Sequence, residues 1–490
     1  MRFQKTTSAA GARHKTGLLL TSAALVGISL PALAQEPATL PPAPSAVKST
    51  TELPGAPAGT VVAAQPGAMP LSLDDAIALG LRHNLQILLA QQQERYVRGE
   101  TLTVGNALLP DLTATAFSRA QEINLAAMGF KPGSIKIPGI VIPQIVKVNT
   151  TSAQVNLSQA LFNVPAYYLY RAAQKAQEGA GWNTLNARGA TVLSIGTGYL
   201  RVLADAAMVA NATALVKQDE EVFHHAQASH DAGVGLHLDV LRAQVQLQQQ
   251  QQTLIQDEDT LAKDKIALNR QMGIPADQEL QLTDVTPYND FSALSIEDAR
   301  ALAYTRRKDL LNLQAQMAVA EQARKAVRYE RLPSVSVGGY YGLLGETTGM
   351  YHGNFAAQGS VKFPIFEEGT LRGQREVAEA QMIALRRQVE SLKVTIESQI
   401  RSSMLDVQSS SELVKVARSN VELSTQELAD ATLRYEAGVD DNLPVVRAQA
   451  ALAGAQAQLI QNEFQYNGAK LQLARNTGVV ETQYKDYLGK

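Results

Sequence analysis

The side chains able to do chemistry are few, and their spacing does not assemble a reaction centre. His224, His225 and His230 share one helical stretch, but no two stand four apart, the spacing that aims two imidazoles at one metal ion. They read as solvated helix residues. His237 stands at a turn, where a lone imidazole could respond to pH, although exposed histidines usually do not. The chain has no cysteine, hence no disulfide, thiolate metal site, cysteine nucleophile or N-terminal lipid attachment. No phosphate-cradling glycine loop and no triad is recognisable, so neither an enzyme nor a cofactor is expected. Asp239 lies early in a helix, where the helix dipole favours an anion. What must be explained is therefore architecture.

A net charge of -2 offers nothing to nucleic acid. Only 5% of residues are aromatic while 45% are hydrophobic, which suits long helices packed side by side better than one large core. Arg2, Lys5, Arg13 and Lys15 precede an apolar run from Leu18 to Leu30 that closes on Ala32-Leu33-Ala34. This is the pattern of an export signal over residues 1–34, cleaved after Ala34. The run is too short to span a bilayer, and no later stretch of uninterrupted apolar residues is long enough. Residues 35–70 hold eight of the 19 prolines and read as a disordered tail.

The remainder is duplicated. Leu71-Ser72-Leu73-Asp74-Asp75-Ala76 recurs as Leu294-Ser295-Ile296-Glu297-Asp298-Ala299, and Leu109-Pro110 as Leu332-Pro333, both 223 residues on. Farther along, Ala232-Gly233-Val234 matches Ala437-Gly438-Val439, Arg242-Ala243-Gln244 matches Arg447-Ala448-Gln449, and Gly273 matches Gly478, now at an offset of 205. The first copy thus carries a longer loop, at 126–148; the shorter one lies near 343–353. The copies span 71–283 and 294–480, with a linker at 284–293 and a C-terminal tail at 481–490.

Each copy reads helix, strand, strand, long helix, tight turn, helix. Ser72 and Ser295 are expected N-caps, with Asp75 and Asp298 three residues on. Each first helix is expected to run to Leu109 or Leu332, where proline stops it. A period of two follows. Leu112, Ala114 and Ala116 alternate with polar residues, as do Ala153, Val155 and Leu157, then Val335 and Val337, then Val361, Phe363 and Ile365. Such strands fit between lipid and a wet lumen, and equally fit a half-buried soluble sheet.

In the second copy Ile400, Val407, Val414, Val421, Leu428 and Tyr435 repeat every seven residues, each followed three residues later by a small one: Ser403, Ser410, Ala417, Ser424, Ala431 and Gly438. The first copy keeps this register with Ile195, Val202, Val209, Val216 and Phe223, except that Asp205 and Asp219 interrupt its small positions. A seven-residue period means coiled-coil packing. Pro165 to His230 and Gly369 to Tyr435 would each extend roughly 100 Å as unbroken helix. Gly179, Gly181, Gly189, Gly196 and Gly198 suggest a kink in the first. Four strands cannot close a barrel, and an open edge cannot face lipid, so spanning strands would have to be pooled among chains. Three chains give twelve.

The duplicated start, the Leu-Leu-Pro stop, and the Ala-Gly-Val turn followed by Arg-Ala-Gln together resemble the TolC-like outer-membrane efflux proteins, over roughly residues 71–480. The resemblance implies a mainly α fold with a small transmembrane β portion: a homotrimer whose 12-stranded β-barrel continues as a long α-helical coiled-coil barrel through the periplasm. It implies an exit duct of a tripartite efflux or type I secretion system, set in outer-membrane lipid and meeting a periplasmic adaptor and an inner-membrane pump or ABC exporter. By position, Val234, Gly235, Leu236, His237, Val439, Asp440, Asp441 and Asn442 would be the adaptor-contact tip, and Asp239 and Tyr435 the gate. Asp440 stands where the best-known member has a gate arginine, and Pro444 and Arg447 where it has an acidic ring, so no cation-selective ring is implied. The competing reading is a secreted periplasmic coiled-coil scaffold without a channel.

Overall fold

The computed structural model describes residues 67–127, 129, 143–285, 289–290 and 294–489. The expected signal, nearly all of the expected tail, and much of the 126–148 loop and 284–293 linker lie outside the described residues.

In chain order the elements are β1 (Met69–Leu71), α1 (Leu73–His83), α2 (Leu85–Asn106), β2 (Asp111–Asn124), β3 (Ile145–Phe162), α3 (Val164–Asp231), α4 (His237–Met272), β4 (Leu280–Leu282), α5 (Ile296–Arg306), α6 (Lys308–Tyr329), β5 (Ser334–Glu346), β6 (Tyr351–Lys362), α7 (Glu368–Glu436), α8 (Leu443–Asn476) and α9 (Val480–Leu488). Ser72 Oγ accepts from the Asp75 amide at 3.2 Å and Ser295 Oγ from the Asp298 amide at 3.1 Å, so both expected caps are present. The first helix of each repeat is nevertheless two helices. It breaks at Asn84 and at Arg307, which take extended backbone angles at equivalent places. The cause is long-range. Asn84 Nδ2 donates to the Gln271 carbonyl at the end of α4 (2.8 Å), and Arg307 to the Asn476 carbonyl at the end of α8 (3.4 Å).

The glycine-rich part of α3 contains no break: the helix runs 68 residues without interruption. Its glycines serve close approach. A methyl group on Gly198 would lie 2.6 Å from Gln271 Oε1, and one on Gly196 2.9 Å from a Leu471 methyl. Each glycine costs about 1 kcal/mol of helix propensity, which neighbouring helices offset by packing onto the bare backbone. The heptad seam is realised, with Ile195, Val202 and Val216 of α3 buried, and Ile400, Val407, Val414 and Leu428 of α7 likewise, against buried Ser403, Ser410 and Ala417. Composition alone would let part of α3 cross a bilayer. Instead Val192, Ile195, Tyr199, Leu200 and Val202 enter the main core with Leu73, Ile77, Met272 and Leu471.

Residues 481–490 correct the expectation of a tail. Their helix α9 buries Tyr484, Tyr487 and Leu488 in that core. Tyr484 donates to Asp74 at 2.6 Å, and Arg188 pairs with Glu481 at 2.6 Å. Strands β1 and β4 pair in parallel, Met69 opposite Leu280, so the start of repeat one is bound to its own end. Residues 69 and 70, assigned above to the tail, belong to this strand.

The second sheet has the order β2-β3-β5-β6, all antiparallel, with β3 and β5 joining the two repeats. The strands run 14, 18, 13 and 12 residues, longer than the usual membrane span of about 9–11. Strand β3 begins inside the expected long loop. The short loop is only 347–350, because pairing continues to Gly345 opposite Tyr351. Register places Leu112, Ala114, Val155, Leu157, Val335, Tyr341, Leu343, Phe355 and Val361 on one face, and Asp111, Thr113, Thr115, Gln154, Asn156, Ser158, Ser336, Asn354, Gln358 and Ser360 on the other.

Candidate functional site

The two turns between long helices form one polar and apolar cluster. Each incoming helix ends the same way. Gly233 and Gly438 take φ of 76° and 71°, the left-handed region that glycine enters without strain. Val234 N then donates to the Ser229 carbonyl, and Val439 N to the Arg434 carbonyl, satisfying groups the helix end leaves open. The chain reverses within five residues in the first turn and six in the second, and leaves apolar side chains outside: Val234 is 84% exposed, Leu236 63% and Val439 67%.

Between the turns the contacts are specific. The Asn442 side chain, fully buried, donates to the Asp239 carbonyl at 3.0 Å. Arg242 reaches Asp239 Oδ1 at 3.4 Å and Asp441 Oδ2 at 3.2 Å, so one guanidinium spans both repeats. Arg434 holds Asp440 at 2.8 Å. His230 and His237 rings lie 5.2 Å apart, and His225 meets the Tyr435 ring edge-on at 5.6 Å. Tyr435 also packs on the cluster of Leu428, Val445, Ala448 and Leu452. Burial, and then the Asp239 charge, hold its phenol above the usual tyrosine range.

The expected gate residues are thus neighbours, but the Asp239 carboxylate is bonded to Arg242 and not to Tyr435. Asn442, grouped above with an exposed contact surface, is instead inside, because its amide is consumed in tying the turns. Val234, Leu236, His237, Val439 and Asp441 are exposed; Gly235 and Asp440 are half-buried. Arg242 was not singled out as part of the gate; its one local sign was its place three residues after Asp239 on a helix face. Pro444 occupies the first turn of α8, and Arg447 is exposed. Among the described residues no group of three or more histidine, aspartate or glutamate side chains is arranged to hold a metal.

The family model for outer membrane efflux proteins matches residues 77–274 and 299–479, one block for each repeat. Among curated proteins, the probable efflux pump outer membrane protein TtgC and the antibiotic efflux pump outer membrane protein ArpC, both of Pseudomonas putida, are each 24% identical over 297 residues. That match takes in 59% of this chain and 60% of each relative's length. Among solved structures, the outer-membrane channel OprN superposes with a TM-score of 0.71 at 18% identity, covering 83% of this chain and 89% of that one. The Campylobacter jejuni CmeC outer membrane channel gives 0.71 at 14% identity, covering 83% and 86%. VceC of Vibrio cholerae gives 0.69 at 18%, covering 83% and 96%.

Proposed function

The chain belongs to the outer membrane efflux protein family, and from that premise we propose that it is the exit duct of a tripartite efflux or type I secretion system. The sheet carries this reading. One face is apolar and the other polar, and among the described residues its outer strands β2 and β6 have no partner on their far sides. Backbone groups at such edges cannot be left in hydrocarbon. Closure by further copies, β6 of one beside β2 of the next, removes every edge. Three copies make twelve strands, within the even-numbered range of outer-membrane barrels. The polar face then lines a wet lumen, and the apolar face meets lipid.

The helices support the same closure. Val394, Leu405 and Val416 of α7 are 72%, 65% and 57% exposed and recur every eleven residues, three helical turns. Leu89 and Tyr96 of α2 and Ile255 of α4 are likewise open at the other edge. A second copy covers both stripes. The turns form the periplasmic tip, where Val234, Leu236 and Val439 offer apolar contact to an adaptor, itself bound to an inner-membrane pump. The duct conducts and does not catalyse.

The test is the mass of the detergent-solubilised protein and an image of it. A trimer with a continuous barrel is expected; a monomer, or recovery in the soluble periplasmic fraction, overturns the reading. For the gate, Asp239→Ala with Tyr435→Phe should raise conductance in planar bilayers, and an unchanged conductance removes the assignment.

A further inference from the structure

The heptad seam of α3 should carry a small neutral residue at 205 and at 219. It carries aspartates. The first one faces α4. The Asp205 carboxyl meets that of Asp264, and its Oδ2 is fully buried without a hydrogen-bond partner. Two carboxyl groups in contact can bond only if one keeps a proton. Beside them Gly198, Arg201, Leu268, Gln271 and Phe464 line a cavity of about 300 Å³ into which Asp264 also opens.

The charged neighbours do not neutralise the pair. On α3, Arg201 is 3.9 Å from Asp264, and from α8 the Phe464 ring takes that guanidinium at 5.5 Å. On α4, Asp257 adds a further negative charge, and Lys263 is bound to Asp259. Glu463 of α8 is paired with Arg418 of α7. Burial first, then Asp264, push the Asp205 carboxyl up to about 7, with Arg201 opposing. Asp219, fourteen residues toward the tip, is raised by burial to about 6, with Gln246 of α4 bonded to it.

The other hairpin lacks this device. At the repeat offset of 205, Asp205 corresponds to Ser410 and Asp264 to Ala469. Ser410 spends its hydroxyl on its own helix, donating to the Asp406 carbonyl. Its two seam positions hold nothing that titrates; the next residue, Lys470, lowered by burial to about 8, points to the Asn289 carbonyl and Asp290 between the repeats and not to the α7 seam.

We propose that the Asp205–Asp264 pair is a proton-dependent clasp that holds α3 to α4 in acid and releases it near neutrality, so that one hairpin of each subunit, and not the other, is loosened by rising pH. The clasp lies about 26 residues above the turn, some 40 Å along α3, so a small parting there moves the tip. Its use in gating rests on the duct reading; the clasp itself does not.

The absence of cysteine makes the test clean. Spin labels are placed on the exposed pair Lys217→Cys and Gln249→Cys of the first hairpin, and on the equivalent pair Glu422→Cys and Gly454→Cys of the second, in the full chain in detergent. Between pH 5 and 8.5 the first distance should lengthen or broaden with a midpoint near 7 while the second stays fixed. Asp205→Ser with Asp264→Ala, which copies the second hairpin, should abolish the response. Ser410→Asp with Ala469→Asp should transfer one to the second hairpin, and this readout survives should the first variant fail to fold. No movement of the first pair overturns the proposal. A response that persists in the Asp205→Ser, Asp264→Ala chain also overturns it and moves the switch to Asp219. Distances are read whether or not the protein conducts, so failure of the clasp and failure of the duct are separate results.

Discussion

Asn84 donates its side-chain amide to the carbonyl of Gln271 at 2.8 Å, closing the end of α4 onto the break between α1 and α2. The second repeat builds the same joint with a different side chain. Arg307 donates to the Asn476 carbonyl, to Gln399 at 2.7 Å, and in bidentate fashion to Asp309 at 3.1 and 2.6 Å.

The two joints should differ in strength. Asn84→Ala removes one cap and one neutral bond, a loss of about 1 kcal/mol. Arg307→Ala strips the half-buried Asp309 carboxylate of its bidentate partner, leaving it the Leu310 amide, and leaves two further acceptors without their donor, a loss of about 3 kcal/mol. Thermal unfolding followed by circular dichroism should rank Arg307→Ala well below Asn84→Ala, which should sit just below the parent. Equal shifts would mean the ion pair adds nothing.

The joints also set a pH dependence opposite to that of α3. Burial disfavours the Asp309 charge, but the Arg307 hydrogen bonds and charge win and hold it below the usual carboxylate range. A depressed carboxylate stabilises the fold above its unfolded value of about 4, and that stability disappears as pH falls through the folded value. Raised groups such as Asp205 and Asp219 do the reverse, stabilising in acid and losing the effect as pH climbs from about 4 toward 7 and 6 respectively. Asp309→Asn should therefore flatten the acid limb of a stability profile and leave the limb between pH 5 and 7 intact. Loss of the upper limb instead would contradict these assignments.

Gly273 and Gly478 seat those helix ends. Both are left-handed, at φ 75° and 81°. An added methyl would lie 2.5 Å from the His83 carbonyl oxygen in one repeat and 2.8 Å from the Arg306 backbone carbon in the other. Backbone cannot swing aside as a side chain can. Gly273→Ala and Gly478→Ala should each cost at least about 1–3 kcal/mol from strain, read as a lower melting temperature. Gly454, with open space around it, should accept alanine with no loss.

At the tip, Asn442→Ala removes a buried hydrogen bond to the Asp239 carbonyl, costing about 0.5–1.5 kcal/mol. Arg242→Ala breaks a half-exposed link worth about 0.2–1 kcal/mol, and one that salt screens. Single-channel recordings should show more frequent opening for Asn442→Ala than for Arg242→Ala. The Arg242→Ala effect should shrink in high salt. A larger effect for Arg242→Ala would make the ion pairs, not the buried amide, the main tie.

On the sheet, Phe355→Lys and Ser360→Lys separate the two faces. On the proposed barrel, lysine on the lipid side near mid-bilayer would cost about 2–4 kcal/mol, whereas the lumen side would be wet. Recovery of heat-modifiable trimer from membranes should fall for Phe355→Lys and hold for Ser360→Lys. The opposite ranking would invert the faces.

What the sequence made legible was local or periodic. The Ser72 and Ser295 caps, the turns at Gly233 and Gly438, the seam of Ile195 and Ile400, and the alternation in the strands all depend on near neighbours. What it hid depended on distant ones. The breaks at Asn84 and Arg307 answer to partners 187 and 169 residues away. Helix α9 looked like a tail because only the core around Tyr199 and Leu471 gives Tyr484 and Tyr487 somewhere to go. The α3 glycines suggested weakness by propensity, and proved to be landing places for other helices. At the tip, turn residues were legible by position, but Asn442 pointing inward was not, since its acceptor belongs to the other repeat.

Helices α3 and α7 pass the joints without interruption, while α4 and α8 stop there. In the proposed duct, mechanical load between tip and membrane would therefore run along two continuous struts among the described residues of each subunit. On a rod of roughly 100 Å, one degree of tilt at one end sweeps the far end by about 2 Å, several times the roughly 0.5 Å of slack a 3 Å hydrogen bond tolerates before it parts. A lateral squeeze on the barrel is thus felt at the turns as directly as a touch there.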